Sequence, residues 1–91
     1  MFVVKKTLHA KVEEKNLSGA RIRQARFKCS PPVSQQDLAG RLAARGINLD
    51  QTALSRIENR ERYVMDYELV AIARCLKVPV AWLCGESRLT R

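Results

Sequence analysis

Gln51, Thr52, Ser55, Arg56 and Asn59 stand in the stretch DQTALSRIENRER, residues 50–62. A helix would gather them on one side and leave Ala53, Leu54 and Ile57 on the other. The outward set shares one chemistry, that of hydrogen-bonding groups able to meet flat polar edges. Gln can form two hydrogen bonds with adenine, Arg two with guanine, and Thr offers thymine a hydroxyl and a methyl. Each good bidentate contact contributes roughly 1–3 kcal/mol of discrimination between bases. A solvated surface helix also carries a polar face, so on composition alone this face fits either reading.

The bulk properties bear on that choice. Ninety-one residues with 46% hydrophobic content suffice for one small core and not for two. Seventeen Lys and Arg against nine Asp and Glu leave a formal charge of +8. Such an excess suits a polyanionic partner, nucleic acid first and an acidic membrane surface second. No run approaches the roughly 18 apolar residues that span a bilayer. The opening MFVVKKTLHAK puts its charges after a very short apolar run, the reverse of a secretory signal, and a cytoplasmic location is expected. Cys29, Cys75 and Cys84 are odd in number and widely spaced, with His9 the only histidine. Free thiols are expected rather than a zinc site, and no metal or other cofactor is implied.

The elements that must position the polar face follow from caps and spacing. Residues 1–16 show no clear period and are expected to be an extension, followed by a domain at 17–85 and a tail at 86–91. Asn16 is a plausible cap for a first helix with Leu17, Ile22 and Ala25 inward, which SPPV would stop. SQQD at 34–37 resembles a capping box, with Leu38, Ala39, Leu42 and Ala43 following as an inward set. Gly46 suits the close of that second helix, and Asp50 suits the cap of the third. A fourth helix is expected from Asp66 to Lys77, with Leu69, Val70, Ile72, Ala73 and Leu76 inward. A short fifth, PVAWLC, would end at Gly85. The fold class is therefore all-α, five helices around Leu38, Leu42, Leu54, Ile57, Leu69, Ile72, Leu76, Trp82 and Leu83.

In order, GARIRQAR, SQQDLAGRL, ALSRIENRER, DYELVAIARCLKV and VAWL resemble the helix-turn-helix domains of the XRE family, the group of lambda-type phage repressors and Cro proteins. The resemblance covers roughly residues 17–84. It implies base contacts for Gln51, Thr52 and Arg56 with Ser55 beside them, and phosphate contacts for Gln35, Asn59, Arg60 and Arg62. It further implies an ion pair between Arg26 and Glu58. Two departures stand out: SPPV lengthens the first connection by about two residues. LAARGINLDQTALS is about five residues longer than the tight turn of the motif, to be absorbed by a longer second helix and a looser turn. Met65 stands where relatives often place a capping Ser or Thr.

Three functions compete at this level. The first is a sequence-specific transcriptional regulator, a repressor binding double-stranded DNA as a homodimer on an inverted repeat, since one small domain reads too few base pairs alone. Family resemblance puts the dimer surface near helix five, including Val80, Trp82 and Leu83, although Trp82 equally fits the core. The second is the antitoxin of a toxin–antitoxin pair, with residues 1–16 covering a toxin. The third is a protein-interaction module that has lost DNA binding. An enzyme is not expected, because no catalytic constellation or glycine-rich phosphate loop is visible.

Overall fold

The computed structural model describes residues 14–86, and within them five helices follow one another without a strand. They are α1 (Gly19–Lys28), α2 (Gln35–Ala44), α3 (Gln51–Glu58), α4 (Asp66–Leu76) and α5 (Val80–Leu83). The proposed extension up to residue 13 and the tail from 87 lie outside the described residues. No helix among them is long and apolar enough to cross a membrane.

Each start and stop has a local cause. The Ser34 hydroxyl accepts the Asp37 amide at 3.0 Å while the Asp37 carboxylate accepts the Ser34 amide at 3.3 Å, so the expected capping box opens α2. Gly46, at φ +83°, closes it and donates its amide to the Ala43 carbonyl at 2.9 Å. The Asp50 carboxylate accepts the Ala53 amide at 2.8 Å at the head of α3. Glu68 reaches back to the Met65 amide at 2.9 Å, so α4 is capped from its own first turn although Met65 has no capping hydroxyl.

The core forms where these helices cross. Ile22 of α1, Leu38 and Leu42 of α2, Leu54 and Ile57 of α3, Ile72 of α4 and Leu83 all lose contact with solvent completely. Burying each such side chain contributes about 1.5–3 kcal/mol. Of the nine expected core residues only Leu69 is half-buried, and Val33 and Leu49, both in connections, join the core. The two lengthened connections thus each bury one aliphatic side chain.

Several local expectations are corrected. The first helix begins at Gly19, and the Asn16 side chain acts from three residues back by accepting the Gly19 amide at 2.8 Å. Leu17 consequently lies before the helix and is exposed. Ala43 and Val70 face outward as well, because α2 and α4 bury narrower stripes than the sequence suggests. Lys77 ends α4 in the left-handed conformation instead of extending it, and Pro79 precedes α5 as its cap. The second helix runs over ten residues and the connection 45–50 over six, against a common turn of three or four, so the connection alone does not hold the extra length. Trp82 and Leu83 belong to the core of the protomer, with the Arg21 guanidinium 5.1 Å from the indole and hydrogen-bonded to the Trp82 carbonyl at 3.1 Å. Of the three residues expected at a dimer surface near helix five, Trp82 and Leu83 are therefore buried in the protomer, while Val80 is half-exposed.

Candidate nucleic-acid interface

Leu54 and Ile57 anchor α3 in the core, and this rotation sets everything on its other side. Gln51, Thr52 and Arg56 are exposed, Ser55 is half-exposed, and Asn59 is exposed at the helix end. No hydrogen bond or ion pair among the described residues engages the Gln51, Thr52 or Arg56 side chains. Their polar groups are available in one patch, which was the spatial expectation from their spacing.

The helix is held in place by a buried network. Arg26 of α1 donates to both Glu58 carboxylate oxygens, Nε at 2.7 Å and Nη2 at 2.8 Å, and Nη1 donates to the Val33 carbonyl at 2.9 Å. The expected ion pair is thus present and bidentate, with both side chains almost fully withdrawn from water. Gln35, at the first position of α2, donates from Nε2 to Glu58 Oε1 at 3.1 Å. One carboxylate therefore fastens the end of α3 to α1 and to the start of α2. Asn16 adds a clamp, donating from Nδ2 to the carbonyls of Ile57 at 3.1 Å and Arg62 at 2.8 Å. Gly19 lets α1 pass close over that end, since a Cβ there would collide with the Ile57 carbonyl oxygen.

The four residues implied to contact phosphate are placed unequally. Asn59 is exposed at the end of α3. Arg60, left-handed at φ 62°, pairs with Glu14 at 3.4 Å, and Arg62 pairs with Glu68 at 3.1 Å while also donating to the Tyr63 carbonyl at 2.9 Å. Burial opposes ionisation of Glu68, but the hydrogen bonds from Arg62 and the Met65 amide, with the Arg62 charge, outweigh it and hold its carboxyl below the ordinary value. Gln35 is half-buried and already donates one hydrogen bond to Glu58, leaving its other amide hydrogen and its carbonyl.

The start of α2 lies next to α3. Gln35, Gln36 and Gln51 line one open depression of about 420 Å³, together with Arg26, Phe27 and Pro32. Sequence reasoning missed Gln36, and its signal was the second glutamine directly after the capping Ser34. The positive charge of residues 17–47 is unevenly available. Arg26 is neutralised inside the fold and Arg21 lies on Trp82, whereas Arg23, Lys28, Arg41 and Arg45 are exposed, Arg41 with Nη1 3.5 Å from the Cys75 carbonyl.

Two helices in succession, α2 with its capped start and α3 with an unpartnered polar face, coincide with a family match over residues 33–83, the model described as helix-turn-helix. The chain belongs to the XRE-type helix-turn-helix family. That match takes in more than half the chain and runs from the buried Val33 to the buried Leu83. Helix-turn-helix proteins of this family are DNA-binding transcriptional regulators, and the family is not one of enzymes. No curated protein and no solved structure matches the chain. The six-residue connection between the two helices of this helix-turn-helix, 45–50, exceeds the common turn of three or four residues.

Proposed function

We propose that the protein is a transcriptional repressor that binds an inverted-repeat operator as a symmetric dimer. In this reading α3 enters the major groove, Gln51, Thr52 and Arg56 contact base edges, and Ser55 reaches base or backbone. Gln35, with the exposed amides at the start of α2, takes a phosphate on one side of the groove. Asn59, Arg60 and Arg62 take phosphates on the other. Gln36 joins the set through its place beside Gln51.

The single observation that carries the reading is the exposed face of α3, whose Gln51, Thr52 and Arg56 side chains have no partner among the described residues. A merely solvated face would not call for a buried ion pair and two further hydrogen bonds to fix the helix that bears it. Rigid placement of side chains on a helix is what base reading requires. Binding as a dimer follows from the small number of base pairs that one such helix can touch.

The test is selection of bound duplexes from a random pool at near-physiological salt, with Arg56→Ala in parallel. An enriched inverted repeat is expected, with preference relaxed at one base pair per half-site in the variant and a loss of about 1–3 kcal/mol there. Unchanged preference in Arg56→Ala would remove that residue from the groove, and no enrichment for either protein would end the operator reading.

A further inference from the structure

With Trp82 and Leu83 buried in the core, the large apolar side chains left exposed are Leu17 and Phe27 at the two ends of α1 and a run that follows α3. Tyr63, Met65 and Tyr67 are each more than half exposed and Val70 is 37% exposed, the first two in the connection after α3 and the others on α4. Four large apolar side chains within eight residues of chain form a patch of the kind that marks a contact surface. The charges around it are ordered. Asp66, Val70 and Arg74, all exposed, occupy i, i+4 and i+8 of α4 and so form one ridge, acidic at its start, apolar in the middle and basic at its end.

We propose that this α4 ridge is the surface on which a second copy of the chain docks. A ridge of this composition is complementary to itself when turned end for end. Two copies related by a two-fold axis through Val70 place Asp66 of each against Arg74 of its partner, twice, with Val70 against Val70 at the centre and Tyr67 flanking it. The same arrangement opposes the two helix dipoles. The paired charges fix orientation and register, and the tyrosines and valines supply the contact area. The patch follows directly on the connection that leaves α3.

This inference rests on the dimeric operator reading for its purpose, but its test does not need DNA. Sedimentation equilibrium of the full chain should show a dimer, and Val70→Lys, which sets two like charges face to face, should weaken it by at least about tenfold. Asp66→Arg and Arg74→Asp should each weaken the dimer, and the two together should restore it by exchanging the paired charges. Thermal melting by circular dichroism checks that the variants stay folded. On DNA, Val70→Lys should lose affinity for an inverted repeat while keeping that for a single half-site. A wild-type protein that stays monomeric, a Val70→Lys protein that stays dimeric, or a double reversal without recovery would overturn the proposal. Half-site binding with a monomeric protein would sink the α4 surface and leave the DNA reading standing. An α4 dimer that selects no sequence would do the opposite.

Discussion

Replacing Glu58 with Ala should unfold much of what positions the polar face, and the size of the effect can be worked from the contacts. The carboxylate accepts three hydrogen bonds, two from the Arg26 guanidinium at 2.7 and 2.8 Å and one from Gln35 at 3.1 Å. Arg26 is only 6% exposed, so in the variant its charge has neither counter-ion nor adequate water. Removing one member of a buried pair costs about 3–5 kcal/mol. A domain of this size holds about 5–15 kcal/mol in all, so about a fifth or more of its stability is at stake. At about 4–8 °C per kcal/mol the melting temperature should drop by about 12 °C or more. Removing both charges in Arg26→Met/Glu58→Leu should cost less than either single change, because what then remains unpaired is neutral: the Val33 carbonyl and the Gln35 amide, about 1–3 kcal/mol each at most. Urea unfolding followed by circular dichroism on Arg26→Met, Glu58→Leu and the double closes the cycle, with Glu58→Ala measured beside them. A Glu58→Ala protein within about 1 kcal/mol of the wild type, against the penalty for stranding a buried charge, would refute the reasoning. A double variant no more stable than Glu58→Ala would do so as well.

Two further outcomes follow from single positions. Gly19→Ala should lower the melting temperature even though alanine favours a helix over glycine by about 1 kcal/mol, because its Cβ meets the Ile57 carbonyl and pushes α1 off the end of α3; a rise would show that the two helices separate at little cost. Glu68, whose folded carboxyl titrates below its ordinary value, contributes stability that is complete above the ordinary carboxylate range and is lost as pH falls through the depressed value. The melting-temperature gap between wild type and Glu68→Gln should therefore be widest near neutral pH and close on acidification, and a gap independent of pH would contradict the Arg62 pairing.

Much of this protein was legible from local chemistry. Ser34, Asp37, Gly46 and Asp50 marked the ends of α2 and α3 because a cap acts within three or four residues of itself, and the structure shows each in that role. The alternation of Leu54 and Ile57 with Gln51, Thr52 and Arg56 fixed which side of α3 faces out, since a helix has only one way to bury that pair. The ordered fragments that resemble the family also pointed correctly to the Arg26–Glu58 pair.

What periodicity could not supply was the width of each buried stripe and the fate of individual charges. Val70 is apolar and one turn from the buried Ala73, yet it is exposed because no neighbouring helix covers that side of α4. Trp82 could have served a partner or the core, and only the position of α5 against α1, with Arg21 laid over the indole, decided for the core. Likewise nothing local in the chain distinguishes Arg62, paired with Glu68, from Arg56, which stands free among the described residues. Caps and face periodicity are short-range properties written into neighbouring residues, whereas burial and ion pairing depend on which distant segment arrives alongside, and that is settled only when all five helices share one core.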